Sequence, residues 1–359
     1  MIKARIGKRF PPRPDSAGFS LEVDFHAAGG VTVFFGPSGS GKSMTLESIA
    51  GFVKPEEGRI LLDDEILFDG ASGVNLPPQL RHCGYVFQNY ALFPNMTLRG
   101  NLAFAAASRE RMPRLQRHRK VNEMLERFHL MEVAGRRPHE VSGGQKQRCS
   151  IARALIGAPK VLLLDEPARG LDAPLRTELY DVLRQVRTEF RIPILLVTHD
   201  LEECFELGDE MLVLHDGHIV QRGLPRSVLD QPATVEVARL LGIFNLLPAE
   251  IIALDPGNKT SRVRLGEFEL AGPYFPGKFR GDRVTLCVRP GELVPMPGDG
   301  EPGPNQVAAR LVRFAERPDA VRLEFTGQIA AELPRAEFEK HKHNKEWVIE
   351  FPPECLRVL

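Results

Sequence analysis

The chain has 359 residues with 47 basic and 47 acidic side chains, and its sequence pI is near 7.2. This length predicts about two or three domains with cores of their own, while the balanced charge argues against a nucleic-acid-binding protein or one held on an anionic membrane surface. The sequence shows neither the apolar core of a signal peptide nor a run of roughly 18 apolar residues that could span a membrane. The five cysteines are scattered and lack metal-ligand spacing, which indicates reduced thiols in a reducing compartment. We therefore expect a soluble, cytoplasmic protein that contacts a membrane only through a partner.

The first predicted elements surround a glycine-rich loop. An apolar strand, Val31–Phe35, leads into the loop GPSGSGKS, and a helical sequence follows and ends near Gly51. The loop fits G-x-x-x-x-G-K-[ST], in which backbone N–H groups and the start of the next helix bind phosphates. We expect Lys42 to reach the β- and γ-phosphates of ATP or GTP, and Ser43 to place its hydroxyl on Mg²⁺. The expected nucleotide contacts are Gly36, Pro37, Ser38, Gly39, Ser40, Gly41, Lys42, Ser43 and Met44.

Two further strands and a long helical segment follow the loop. Gly58–Asp64 and Cys83–Gln88 are strand-like, and Gln88 ends the second, where it could contact Mg²⁺ or the attacking water. From about residue 89 to 160 the apolar spacing is mainly helical, which predicts a helical subdomain inserted between two strands of the core. Its basic run, Arg109–Lys120, is typical of a solvated helix face, with contact to a partner or to lipid headgroups as the alternative.

A second glycine-rich segment, VSGGQKQR, opens another predicted helix at Val141–Arg148. A serine hydroxyl and glycine N–H groups at a helix start can bind phosphate oxygens, although the same residues can also form a simple N-cap and turn. Because strand-end carboxylates follow closely in the sequence, we favour the phosphate site. Its expected ligand contacts are Ser142, Gly143, Gly144 and Gln145.

Two later strands end in residues suited to phosphate chemistry. Val161–Leu164 is a continuous apolar run that delivers Asp165 and Glu166 at its carboxyl end, the edge where ligands bind in open α/β sheets. We expect Asp165 to hold Mg²⁺, directly or through water, and Glu166 to polarise the attacking water; the alternative is a solvent-facing carboxylate pair. His199 ends the strand ILLVTH and could hydrogen-bond the γ-phosphate and that water, although a lone strand-end histidine is more often structural.

The pattern of predicted strands and helices divides the chain into two parts. Apolar strands alternating with helices over the first two thirds predict an α/β fold with a parallel sheet covered on both faces. A break falls at Gly223–Asn245, and beyond it short alternating runs such as SRVRL, VTLCV and AVRLEF are separated by Gly/Pro turns. Such strands are typical of a small all-β barrel of the OB type. We therefore predict domains at residues 1–235 and 236–359.

The order of these motifs resembles that of ABC transporter nucleotide-binding subunits. The motifs are the glycine-rich loop (P-loop), Gln88, the segment VSGGQ, the strand ending in Asp165 and Glu166, the sequence GLDA and His199. The resemblance covers roughly residues 1–231 and implies a RecA-like P-loop ATPase core with a helical subdomain. It also implies a homodimer that binds Mg²⁺ and ATP head to tail, with the P-loop of one copy facing Ser142 of the other. An aromatic residue upstream of the P-loop usually stacks on adenine; Phe10 is our choice, with Phe19 in reserve.

Some positions depart from the family pattern. Val141 replaces the usual Leu, and Met44 stands where Thr is common. Ala168, Arg169 and Gly170 occupy the positions where the family usually has the sequence LSA. None of these changes removes a catalytic group, so an active ATPase remains the prediction, while the sequence offers no role for Arg169.

Two regions resemble importer subunits in particular. After Gln88, the resemblance places Leu92, Phe93 and Pro94 in a groove for a coupling helix of the membrane permease; the alternative is ordinary subdomain core. The tail sequences CVRPGEL and VIEFPPECLRVL resemble TOBE/Mop-like regulatory domains, which could bind an effector or, as we favour, hold the dimer together. The resemblance is nearest to molybdate-type subunits and implies import of molybdate or a related oxyanion from a solute-binding protein, with the chain at the cytoplasmic face of the membrane.

The alternatives keep the ABC fold and change its task. One is the same role in sulfate, polyamine, ferric-ion or sugar import. A more distant one is a soluble ABC ATPase of DNA repair or translation, a class that usually carries two cassettes or a long coiled-coil insertion. Neither feature can be read in this sequence, and nucleic acid is not an expected partner.

Overall fold

The computed structural model describes residues 1–12, 18–109, 113–298, 300–317 and 320–359. The chain divides into two compact units, Met1–Asp230 and Gln231–Leu359. The division falls at the end of a helix, a little before the boundary drawn from the sequence after residue 235. Among the described residues, no helix is both long enough and apolar enough to span a membrane.

The first unit is built on a mixed sheet. Its strands, over the described ranges, are β1 (Ile2–Phe10), β2 (Phe19–Ala27), β3 (Val31–Phe35), β4 (Glu57–Leu62), β5 (Glu65–Asp69), β6 (Val74–Asn75), β7 (Cys83–Val86), β8 (Val161–Asp165), β9 (Ile194–Thr198), β10 (Glu210–His215) and β11 (His218–Gly223). They lie in the order β6-β5-β4-β1-β2-β11-β10-β3-β9-β8-β7. The antiparallel pair of β10 and β11 forms a hairpin.

Helices of the first unit flank this sheet. They are α1 (Lys42–Ala50), α2 (Leu98–Arg109), α3 (Arg114–Arg127), α4 (Gly143–Leu155), α5 (Ala173–Phe190), α6 (Leu201–Leu207) and α7 (Pro225–Asp230). Between β7 and β8 lie α2, α3 and α4, in the stretch predicted to be helical. Apolar side chains at helical spacing in and just after α3 are buried, namely those of Val121, Met124, Leu125 and Phe128. In the basic run 109–120, residues 110–112 lie outside the described part, and most of the side chains that are described are exposed.

The central strands explain where the site lies. β3, β8 and β9 pair in parallel and are buried almost throughout, and β7 pairs in parallel with β8. Such continuous apolar strands need cover on both faces, which helices supply. Their carboxyl ends meet at one edge of the sheet, and Gly36, Gln88, Asp165 and His199 lie at or just beyond those ends.

Arg81 anchors the far end of α1. Its side chain is fully buried, and burial lowers the pKa of its guanidinium. Nη1 donates to the carbonyl oxygens of Ser48 (2.7 Å) and Ile49 (2.9 Å), and Nε donates to that of Leu76 (2.8 Å). A cation at these carbonyls complements the negative end of the helix dipole. The carboxyl end of the helix that follows the glycine-rich loop is therefore held by Arg81.

The second unit is β-rich. It contains α8 (Val235–Leu241), β12 (Asn245–Asp255), β13 (Thr260–Leu265), β14 (Phe268–Pro273), β15 (Arg283–Val288), β16 (Val294–Pro297), β17 (Gln306–Glu316), β18 (Ala320–Phe325), β19 (Ala330–Pro334), α9 (Arg335–His341), β20 (Glu346–Glu350) and β21 (Arg357–Val358). Two antiparallel five-stranded sheets, β14-β13-β12-β15-β21 and β16-β20-β17-β18-β19, share a core that includes Trp347, Phe338 and Phe351. The predicted fold class, an α/β P-loop core with a helical subdomain followed by an OB-like all-β domain, is confirmed.

Candidate nucleotide-binding site

A cavity of about 840 Å³ lies beside the glycine-rich loop of the first unit. It is lined by Phe10, Pro11, Phe19, Ser38, Gly39, Gly41, Lys42, Ser43, Met44, Glu47, Gln88, Glu166 and Arg169. The volume suits a nucleotide-sized ligand. Another cavity, of about 830 Å³, lies on the antiparallel strands β1, β2 and β4 and is lined by none of the predicted site residues.

The glycine-rich loop has the shape of a phosphate cradle. Gly41 precedes α1 with φ of 100°, and a Cβ atom there would stand 2.6 Å from Cδ1 of Leu21, so the position requires glycine. Ser40 Oγ is buried and has no hydrogen-bond partner among the described residues. An unpaired buried hydroxyl beside helix-start N–H groups is a donor that a phosphate oxygen can satisfy. The loop therefore fits the polyphosphate that its sequence predicts.

Lys42 is buried within this cradle. Its Nζ donates to the carbonyl oxygens of Gly36 and Pro37, both at 2.7 Å. Desolvation by burial lowers the pKa of the ammonium group, and the negative charges of Glu166 and Asp165 oppose that shift. The cation thus lies inside the loop and close to the strand-end carboxylates, where phosphates would replace carbonyl oxygens as its partners.

Ser43 and Asp165 form the candidate metal site. Ser43 Oγ donates to Asp165 Oδ1 at 2.8 Å, and Tyr85 OH donates to Asp165 Oδ2 at 3.3 Å. Burial raises the pKa of Asp165, while these two hydrogen bonds lower it. A hydroxyl and a carboxylate are oxygen ligands of the kind that Mg²⁺ takes together with substrate phosphates and water. The donor set fits the ion, which would take the place of the direct hydrogen bond.

The sequence interpretation missed Tyr85 and Glu47. Tyr85 follows Gly84 in β7 and reaches Asp165, and the available signal was a hydroxyl-bearing residue in an otherwise apolar strand. Glu47 lines the cavity one turn into α1, and burial together with the charge of Asp165 raises the pKa of its carboxyl group. Its helical spacing from Ser43 was the available signal.

Glu166 has the backbone and the neighbours of a functional carboxylate. Its φ is 45°, an uncommon conformation for a residue with a side chain and one that often marks functional sites. Oε1 lies 3.2 Å from His199 Nδ1, and Oε2 accepts from Arg169 Nη1 at 2.8 Å. The structure thus brings together two of the predicted catalytic residues and adds a cation that the sequence left without a role.

Gln88, the third predicted catalytic residue, lines the same cavity. Its amide satisfies its neighbours when the oxygen faces Arg169, accepting from Nε at 3.1 Å and from Nη1 at 2.5 Å. The aromatic candidates Phe10 and Phe19 also line the cavity, with ring centroids 6.4 Å apart. Both rings are therefore available to a base, and which of them stacks on adenine stays a prediction.

The second glycine-rich segment lies elsewhere. Ser142 is exposed and caps α4: its Oγ accepts from the N–H of Gln145 at 3.2 Å, and Gln145 Oε1 accepts from the N–H of Ser142 at 3.0 Å. Over the described residues, neither these two nor Gly143 and Gly144 line the cavity. Within one chain the segment forms the simple N-cap that was the alternative interpretation, so a phosphate role requires a second copy.

The segment after Gln88 presents an apolar surface. Phe93 is 39% exposed and packs edge to face against Phe104, with ring centroids 4.9 Å apart. The Arg153 guanidinium lies 5.7 Å from the Phe93 ring centroid. Pro94 is exposed and Leu92 partly so. The three predicted groove residues therefore lie at the surface of the helical subdomain.

Together, the fold and the site define a P-loop ATPase in which the strand-end carboxylate of Glu166 lines the same cavity as Lys42. Comparison with known proteins identifies the family. The ABC transporter family pattern matches residues 20–169. The spermidine/putrescine import ATP-binding protein PotA of Vibrio cholerae is 37% identical over 289 residues, 80% of this chain and 74% of that protein. The molybdenum import ATP-binding protein ModC of Paramagnetospirillum magneticum is 38% identical over 284 residues, 77% of each chain.

Solved structures agree with the sequence relatives. The dimeric ATP-binding cassette MJ0796 bound to ADP and phosphate matches with a TM-score of 0.55 and 28% identity, over 63% of this chain and 99% of that one. CbiO1 of Clostridium perfringens matches with a TM-score of 0.55 and 29% identity, over 67% and 94%. The chain belongs to the ABC transporter family of ATP-binding proteins and is an ATPase of that family. Its predicted resemblance to importer-type subunits is confirmed.

Proposed function

We propose that this chain is the ATP-hydrolysing subunit of an ABC importer, in which two copies bind ATP and Mg²⁺ between them and drive solute uptake through membrane permease subunits. The observation that carries the proposal is the convergence of Lys42, Ser43, Asp165, Glu166 and His199 at one edge of the parallel sheet. These groups would supply a phosphate ligand, a metal site and a base at the cavity that Lys42, Ser43 and Glu166 line.

The proposed chemistry divides among these residues. Bound Mg²⁺ would neutralise charge on the β- and γ-phosphates. Ser43, Asp165 and Gln88 would hold the ion, and Lys42 would donate to the phosphates. Glu166 would accept the proton of the attacking water, and His199, already 3.2 Å from that carboxylate, would orient it and donate to the γ-phosphate.

The second copy would complete the site. We propose that Ser142, Gly143, Gly144 and Gln145 of one copy face the γ-phosphate held by the P-loop of the other. The exposure of Ser142 at the start of α4 supports this, as does the dimeric form of the related cassette MJ0796. Closing the dimer around ATP and reopening it after hydrolysis would move the permease subunits.

The exposed surface at Leu92, Phe93 and Pro94 is the proposed permease contact. The Phe93–Phe104 pair gives it an apolar centre, and Arg153 gives it a charged rim. Such a surface fits a short amphipathic helix of a membrane partner. This contact would hold the chain at the cytoplasmic face of the membrane, and the C-terminal unit would help to hold the dimer.

For the solute we propose molybdate or a related oxyanion, as the likeness to molybdate-type subunits predicts. A polyamine is the second candidate because relatives named for spermidine/putrescine import match as well. The complex reconstituted with its permease and binding protein decides the question through ATPase stimulation. Stimulation by molybdate supports the first candidate, and stimulation by spermidine alone replaces it with the second. If neither Phe93→Ala nor Pro94→Ala reduces the stimulation, the proposed permease contact is wrong.

A further inference from the structure

Arg169 occupies a position that the proposed mechanism does not use. It follows Glu166 and Pro167 in the loop between β8 and α5, and it lines the candidate nucleotide cavity. Its side chain is 55% exposed, so packing alone does not explain it. The sequence departs here from the usual family residues, which lack a charge.

A tight turn directs this side chain back toward Glu166. The N–H of Arg169 donates to the carbonyl oxygen of Glu166 at 3.2 Å, and the N–H of Leu171 donates to that of Ala168 at 3.1 Å. Gly170 allows the turn because its φ is 76°, which a residue with a side chain rarely adopts. The first turn brings Arg169 back to Glu166, and the second turn, which contains Gly170, follows it.

One guanidinium contacts two of the residues assigned to catalysis. Nη1 donates to Glu166 Oε2 at 2.8 Å. With the Gln88 amide turned so that its oxygen faces Arg169, the orientation that satisfies both groups, that oxygen accepts from Nε at 3.1 Å and from Nη1 at 2.5 Å. An amide oxygen has two lone pairs, and in this arrangement Arg169 uses both. The same oxygen is the atom with which Gln88 would bind Mg²⁺. It cannot serve both partners at once.

We propose that Arg169 is a positioning residue of the ATPase site, which holds the Glu166 carboxylate and the Gln88 amide oxygen on one guanidinium and thereby competes with Mg²⁺ for Gln88. The inference rests on the proposed function. Its consequence is an energetic cost to metal-dependent nucleotide binding, because the Gln88 contact must open before the amide oxygen reaches the ion. The energy of a partly exposed ion pair and its hydrogen bonds corresponds to a change of about two- to five-fold in the affinity for the Mg²⁺-bound nucleotide.

Binding of a non-hydrolysable ATP analogue, measured by calorimetry on the full chain with and without Mg²⁺, tests the proposal without relying on turnover. Arg169→Ala should bind the analogue about two- to five-fold more tightly in Mg²⁺, and the gain should disappear in EDTA. Arg169→Lys should lie between, because an ammonium can pair with Glu166 but lacks the fork that engages Gln88. The matched control is Arg184→Ala, which removes another partly exposed arginine paired with carboxylates, Asp181 and Glu206.

Unchanged binding of the analogue by Arg169→Ala would overturn the inference. Weaker binding would also overturn it, because it would show that the guanidinium helps to bind the phosphates. A gain that persists in EDTA, or an Arg169→Lys variant that matches the wild type, would also overturn it. A thermal melt of each variant shows whether a change in affinity comes from folding. If the wild-type chain itself fails to bind the analogue, the proposed function fails, which is a distinct result.

Discussion

Two helices in this chain begin in glycine-rich sequences, and they differ in whether a side chain caps the N-terminus. At α1 the N-cap residue is Gly41, no side chain of the described residues caps the helix, and strand-end carboxylates lie close by. At α4 the hydroxyl of Ser142 and the amide of Gln145 satisfy each other's backbone N–H groups. Residue composition alone does not separate the two.

The two helix starts differ in how many of the groups needed to bind a phosphate come from the same chain. The start of α1 adjoins a cavity, the side chain of Lys42 and the hydrogen-bonded oxygen pair of Ser43 and Asp165, the candidate metal ligands, all from the same chain. At the start of α4, Ser142 is exposed and its hydrogen bonds are satisfied locally, so this start becomes a phosphate site only when another molecule brings the phosphate. One chain thus contains a nearly complete site and a partial one, which is the arrangement that a head-to-tail pair would complete.

The largest expected effect lies on the α1 side. Glu166→Gln should slow ATP hydrolysis by about 10²- to 10⁴-fold, because the amide cannot accept the proton of the attacking water. ATP binding should persist and the closed pair of copies should accumulate. Steady-state turnover and the mass of the complex in Mg²⁺ and ATP check both statements, and near-normal turnover would exclude Glu166 as the base.

Removing the lysine should act on binding. Lys42→Ala should weaken ATP binding by about 10- to 100-fold, because a buried ammonium makes charge-assisted hydrogen bonds to phosphate. Equilibrium binding measures the loss. Lys160→Ala is the control, since Lys160 makes an exposed pair with Glu65. Equal affinities of the two variants would refute the role assigned to Lys42.

Substitution of one glycine at each helix start, Gly41 before α1 and Gly143 in α4, tests the difference between the two. Gly41→Ala should cost about 2 kcal/mol or more of stability, since its φ is positive and its Cβ would meet Leu21. Gly143→Ala should leave folding and single-copy binding intact, since the nearest atoms to its Cβ are Leu171 Cδ2 at 3.6 Å and Tyr90 OH at 3.7 Å. It should nevertheless slow turnover by about 10- to 100-fold if a partner's phosphate approaches there. Denaturation and turnover assays separate the two, and full turnover in Gly143→Ala would remove that segment from the site.

The smallest expected effect on the single copy is the loss of the helix cap at Ser142. Ser142→Ala should lower the free energy of unfolding by about 1 kcal/mol. A single copy should still bind ATP as the wild type does, because Ser142 does not line the cavity. Chemical denaturation and nucleotide binding provide the two readouts. Weakened binding by the isolated copy would mean that the segment serves the site in its own chain.

Much of the site follows from sequence because its residues stand at the ends of apolar strands. Parallel pairing of β3, β8 and β9 brings those ends together, so Ser43, Asp165 and His199 could be placed on pattern alone. The contacts of Arg169 with Gln88 and of Tyr85 with Asp165 could not, because they depend on side-chain directions across the sheet edge. Likewise, the hydrogen bonds of Arg81 to the end of α1 and the exposure of Phe93 depend on the folded structure.

The most direct test of the whole account is a crystal structure of the Glu166→Gln variant with ATP and Mg²⁺. We expect each γ-phosphate to lie between Lys42 of one copy and the segment Ser142–Gly144 of the other, within hydrogen-bond distance of both. ATP held by the P-loop with the Ser142 segment of every copy far from any γ-phosphate would contradict the two-copy site.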